Sequence, residues 1–244
     1  MKNWKEHLSR LLRRLIDEDI ILVEWDQRLL IRLGVPLVTG SYFFLVPDDQ
    51  LPKVISIAAD QELHPADEST LAVGFASEFS GRAVRYIIDD TEACTTAISA
   101  LAPRSWRRLL FIPMSWPEIA LSELEPATMV DPLRSGPDLN IWIVPLPVVC
   151  ASYARLAVRE RRGTTPRQTL ICDLISLVVE TFFDTSYEGD YEEMIPDTVP
   201  FTEAEIHEME NAAREIQSWE MRFGEEWIKE QLVNIVTAKP TTLS

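Results

Sequence analysis

The chain has 244 residues, 46% hydrophobic and 25% charged, with a formal net charge of −16. That is ordinary globular composition, enough for one large domain or two small ones. The acidic balance argues against general nucleic-acid binding, which needs a basic surface for phosphate, and no run of about 18 apolar residues is present to cross a membrane.

The charge is unevenly spread. From Asp184 to the end, 15 acidic residues stand against 4 basic ones, and the rest of the chain is closer to balance. The first residues, Met1 to Glu6, are charged and lack the apolar core of a secretory signal, so a cytoplasmic setting is expected. Cys94, Cys150 and Cys172 are far apart, with no CxxC or Cys/His ligand spacing. They read as buried free thiols in a reducing compartment.

In chain order, Trp4, Leu8, Leu11, Leu12 and Leu15 recur at helical spacing and predict a helix over 2–17 with a basic outer face. A docking helix with solvated arginines is preferred to a membrane-surface helix, because the segment is short and the protein acidic. Residues 20–63 then read as strand (20–24), helical turn (26–33), strands near 35–38 and 41–46, and a helix over 49–62 with Leu51, Val54, Ile55 and Ala58 on one side. Gly34-Val35-Pro36 supplies the turn between the strands, and Pro52 sits in a first helical turn where its missing N–H costs little. Residues 64–81 read as loop with one weak element, 84–88 as a strand, 91–101 as a helix ended by Pro103, and 109–112 as a strand. Residues 117–137 read as an irregular connection, and 139–144 as a strand.

At Pro145 the texture changes. Helices are expected over 147–162 and 166–183, an acidic loop over 184–200, and a last helical region to about 237, broken near Gly224 and opened by a Thr202/Glu205 capping box. The expected fold class is α+β. It has a mixed sheet flanked by helices in residues 1–145, a helical portion in 146–238, and a disordered tail in 239–244.

Most catalytic signatures are absent. His7, His64 and His207 lie in unrelated segments without zinc spacing. There is no GxSxG, and Thr39-Gly40-Ser41 is too short for a phosphate loop. Arg155, Arg159 and Arg162 fall at i, i+4 and i+7 and form a candidate anion-binding face. The competing reading, a solvated face pairing with the acidic C-terminal helices, is favoured. The run from Glu188 to Asp197 lacks EF-hand ligand spacing and reads as a solvated loop. Adjacent Asp48 and Asp49 would point to opposite faces of a strand, and at a helix start they read as caps. No metal ligand set is assigned.

Trp25-Asp26 after a strand, then Leu33-Gly34-Val35-Pro36, then the run from Tyr42 to Leu51 (YFFLVPDDQL), resemble a large group of uncharacterised fungal proteins with a nucleotidyltransferase-like fold. Leu109 to Trp116 (LLFIPMSW) and Ile143-Val144-Pro145-Leu146-Pro147 look like a later strand and a sheet-to-helix junction of that group, so the likeness spans much of 20–183. The resemblance implies that a glycine turn should receive nucleotide phosphate and that an Asp-x-Asp strand should hold a divalent metal, both carboxylates on one strand face. The turn maps to Glu24-Trp25-Asp26 and the Asp-x-Asp to about Ser41-Tyr42-Phe43, so both signatures are missing.

The expectation that follows is a pseudoenzyme acting through a ligand or a protein partner, with no cofactor. Its candidate pocket is Glu24, Trp25, Asp26, Ser41, Phe43 and Asp48. One alternative is an active nucleotidyltransferase that uses Mg²⁺ or Mn²⁺ with a nucleotide and takes its carboxylates from Glu24, Asp26 and Asp48. Another is an interaction module whose acidic C-terminal helices present an apolar stripe of Ile206, Met209, Ile216 and Trp219.

Overall fold

The leucines that give the N-terminal helix its period are its buried edge. In α1 (Trp4–Asp17), Leu8, Leu11, Leu12 and Leu15 are all 0–1% exposed. The computed structural model describes residues 4–66, 75–88, 107–134, 136–183 and 200–243. Within these, the elements after α1 are β1 (Val23–Trp25), α2 (Gln27–Arg32), β2 (Tyr42–Val46), α3 (Leu51–Asp60), β3 (Val84–Ile87), β4 (Arg108–Pro113), β5 (Glu125–Met129) and β6 (Leu139–Ile143). Four helices follow: α4 (Leu146–Arg159), α5 (Thr165–Phe182), α6 (Glu203–Ser218) and α7 (Glu226–Val236). The helix expected over 91–101 and most of the acidic loop lie outside the described residues.

The six strands form one mixed sheet in the order β3-β4-β2-β1-β6-β5. β1 runs antiparallel to β2 and parallel to β6, while β2 runs parallel to β4. Cross-strand partners share a face, so the register sorts the side chains. Tyr42, Phe44, Val46, Tyr86, Leu109, Phe111, Leu139 and Ile141 join the core built with α1 and α3. Val23, Trp25, Phe43, Leu45, Leu110 and Ile112 occupy the other face and are also buried. The fold is α+β, as expected: a mixed sheet flanked by helices, then a helical C-terminal portion. Packing divides the chain into two compact units, residues 1–32 with 37–145, and residues 33–36 with 146–244. No helix among the described residues is long and apolar enough to cross a membrane.

Several local expectations change. The first strand starts at Val23 rather than residue 20, because the Ile20 N–H closes onto the Leu15 carbonyl and the Ile21 N–H donates to the Gln50 side chain at 2.9 Å. Residues 35–38 form no strand; Val38 stands fully exposed, and Pro36 has no N–H to give a ladder. Strand β5 lies inside the expected irregular connection, at the sheet edge, where Pro126 is tolerated. Helix α3 starts at Leu51 with no side-chain cap, so Asp48 and Asp49 do not cap it.

In the helical unit, the Thr202/Glu205 capping box forms, and Gly224, at φ 83°, separates α6 from α7. The last residues described pack against α5 and α7. Leu243 is 1% exposed, and its carbonyl accepts from Arg167 at 2.8 and 3.2 Å. The Thr242 N–H donates to Gln231 at 2.7 Å. Among the cysteines, Cys150 is buried, and burial pushes its thiol pKa up. Cys172 is exposed, against expectation, and Cys94 lies outside the described residues.

Candidate functional site

Strand alternation would place Glu24 and Asp26 on one face of the sheet, two residues apart. The backbone prevents it. Asp26 adopts φ 56°, the left-handed region that glycine or an Asx residue favours. That turn ends β1 and swings the Asp26 side chain to the side of Trp25, where both meet Ser77. The Trp25 indole N–H donates to Ser77 Oγ at 3.1 Å, and Asp26 Oδ2 accepts from both the hydroxyl and the N–H of Ser77. Asp26 Oδ1 accepts the N–H of Gln27, the first residue of α2, at 2.7 Å. Asp26 is 1% exposed. Burial raises its pKa to about 6; the bonds from Ser77 and Gln27 oppose the rise, and the nearby Glu78 charge adds to it.

Ser77 belongs to a short 3-10 turn, Ala76–Phe79, and this turn fills the space beside the ends of β1, β2 and β4. Phe75 meets Phe43 edge to face, with centroids 5.1 Å apart. One carboxylate oxygen of Glu78 accepts the Phe75 N–H at 3.1 Å, and the other accepts from the Arg108 guanidinium. Glu78 and Arg108 are 1% and 0% exposed, a fully buried ion pair. Arg85, on the same sheet face, donates to the Glu78 and Ser80 carbonyls. Ser41 accepts the Arg108 backbone N–H on its hydroxyl at 3.1 Å.

The structure thus brings Trp25, Asp26, Ser41 and Phe43 to one end of the sheet and removes Glu24 and Asp48 from it. Glu24 shares its sheet face with Phe44, opposite Trp25. It is bound by Arg28 at 3.4 Å and Arg32 at 2.5 Å, and Arg32 reaches on to the Thr128 carbonyl. Asp48 follows the far end of β2. Trp25 pairs with Phe43 while Val46 closes the strand, so at about 3.4 Å per residue more than about 10 Å of strand separates Asp48 from the Asp26 end. Asp48 accepts from the N–H and hydroxyl of Ser115 at 3.0 and 2.6 Å and pairs with Arg82 at 3.1 Å. Burial raises its pKa, but Ser115 and Arg82 outweigh that and hold it below the usual carboxylate value. No three metal-capable side chains converge among the described residues.

No family model and no curated protein match the chain. Among solved structures, it is similar to an antigenic nucleotidyltransferase-like protein from Paracoccidioides brasiliensis, at 15% identity over 99% of this chain and 95% of that one, with a TM-score of 0.42.

The candidate anion-binding arginines, Arg155, Arg159 and Arg162, do not share one helix. The helix ends at Arg159, leaving Arg162 beyond it. Arg155 grips both carboxylate oxygens of Glu225 at 3.0 and 3.1 Å. The residues that sequence reasoning missed are Ser77, Glu78 and Arg108. Arg108 opens an otherwise apolar buried strand, and that was the one available hint. Ser77 and Glu78 sit in a stretch with no periodicity, and their partners lie 51 and 30 residues away.

Proposed function

We propose that the chain is a non-catalytic protein with a nucleotidyltransferase-like fold, acting by binding a ligand or a protein partner and using neither metal nor nucleotide. The observation that carries this reading is the self-occupied turn after β1. A phosphate at that turn would take the first N–H groups of α2. Here the Gln27 N–H is already bonded to the Asp26 carboxylate, which would also repel an incoming anion. Asp26 is itself held by Ser77 under a buried turn. The side chains at the Asp-x-Asp positions, Ser41 and Phe43, give one hydroxyl and no carboxylate, and hard divalent cations require oxygen ligands in number. Glu24 and Asp48 cannot substitute, since one points from the other sheet face and the other follows the other end of β2.

A thermal-shift screen with ATP, CTP, GTP and UTP, each with Mg²⁺ or Mn²⁺, tests this. A ligand present at about one hundred times its Kd adds about 2.7 kcal/mol of stability, a readily visible rise in Tm. The reading expects no metal-dependent rise for any nucleotide. One such rise contradicts it.

A further inference from the structure

Helix α6 carries an apolar seam that outruns its packing partners. Ala212, Ile216 and Trp219 recur at helical spacing and are buried, with Trp219 lying against Phe182 at 6.1 Å between ring centroids. Toward the N-terminus the seam continues through Met209, with Ile206 flanking it one turn earlier. There the burial stops. No residue from 200 to 211 is buried, Ile206 is 45% exposed and Phe201 51%. This is two of the four expected stripe residues; Ile216 and Trp219 belong to the interior instead. The overhang is rigidly started by the capping box, in which Glu205 accepts the Thr202 N–H at 2.6 Å.

The frame around this overhang has one sign. Glu203, Glu205, Glu208 and Glu210 surround Ile206 and Met209, with His207 the one titratable group among them that can carry positive charge. The nearest arginine, Arg214, lies beyond them and is bonded to Asn211. We propose that residues 201–210 dock a basic amphipathic helix of another protein, its apolar edge on Phe201, Ile206 and Met209 and its Lys or Arg side chains against the surrounding glutamates. A second copy fits poorly, because it would set acidic frame against acidic frame. The chain's own basic amphipathic helix, α1, already buries Leu8, Leu11, Leu12 and Leu15. The proposal deepens the partner-binding part of the function proposed above and rests on it, but it does not involve the Asp26 end of the sheet.

The test is fluorescence anisotropy of the full chain with a labelled peptide of leucine and lysine patterned as an amphipathic helix, beside its scramble, at about 0.15 M salt. The patterned peptide should bind about tenfold more tightly than the scramble. Ile206→Glu should weaken it about tenfold although the variant is more acidic, while Ile206→Leu retains binding; position 206 is exposed, so circular dichroism should show unchanged folding for both variants. Equal binding of peptide and scramble, or undiminished binding to Ile206→Glu, would reduce the site to charge alone and overturn the proposal. So would absence of binding, or a concentration-dependent dimer that Ile206→Glu dissolves. A nucleotide-induced shift in the thermal screen leaves this outcome untouched, and failure here leaves the self-occupied turn as it stands.

Discussion

Asp26 sets the pH behaviour of the sheet end. Its folded pKa of about 6 lies above the ordinary 3.8, so the native state holds this proton more tightly than the unfolded chain does. Its contribution to stability is therefore full below the ordinary value and is lost as pH rises through the folded one. The window runs from about pH 4 to about pH 6, and the difference is on the order of 3 kcal/mol. Asp48 and Asp131 act with the opposite sign. Burial raises both, but hydrogen bonds and an arginine lower them further, from Ser115 and Arg82 at Asp48 and from Ser9, Arg13 and the Leu133 N–H at Asp131. Their stabilisation is lost only as pH falls below about 4. Urea unfolding between about pH 4.5 and 6.5 should show wild-type stability falling as pH rises, and Asp26→Asn should flatten that slope. An unchanged slope in the variant would assign the titration to another group.

Two other buried features, one residue and one pair, differ in kind. The Tyr86 hydroxyl is buried without a partner among the described residues, and burial pushes its pKa to about 12. Tyr86→Phe should leave Tm unchanged or raise it, by up to about 1 kcal/mol of stability; a clear loss would mean that the hydroxyl is bonded. Arg108 and Glu78 form a fully buried pair. Removing one partner leaves a buried charge and should cost about 3–5 kcal/mol in denaturant unfolding of Glu78→Ala. The double replacement Glu78→Leu with Arg108→Met should cost less than either single change, and an additive loss would show that the two side chains are not coupled.

At the scale of elements, legibility followed local chemistry. The leucine period of α1, the Pro52 start of α3, the Thr202/Glu205 cap and the Gly224 break each have a cause within a few residues, and each could be read. Strand β5 could not. Pro126 argues against a strand unless its place at the edge is known, and edge position is a property of the whole sheet. The left-handed turn at Asp26 was equally hidden, since aspartate tolerates that conformation without announcing it. The C-terminal tail reads as short and polar, and the contact made by its Leu243 is not legible locally: the side chain is buried and the carbonyl accepts from Arg167. Leu243→Ala should therefore cost about 2–4 kcal/mol, measured by chemical denaturation. A tail with no structural role would tolerate the change.

For the whole molecule, the order of elements was enough to establish a mixed sheet followed by helices, and the charge asymmetry was visible by counting. The state of the candidate site was only half visible. Trp25, Ser41 and Phe43 bring no carboxylate and no glycine to the mapped positions, and that much is readable from the sequence. That Ser77 occupies Asp26 and Glu78 occupies Arg108 depends on side-chain pairings across 51 and 30 residues, for which no local pattern exists. Those pairings close the end of β1 with the chain's own side chains, and they support the proposal that this end performs no nucleotidyl transfer. Pyrophosphate release from each of the four nucleoside triphosphates, with Mg²⁺ and with Mn²⁺, tests it most directly when wild type is run beside Asp26→Ala. The two proteins should give the same background rate; metal-dependent release by wild type that Asp26→Ala abolishes would contradict the claim.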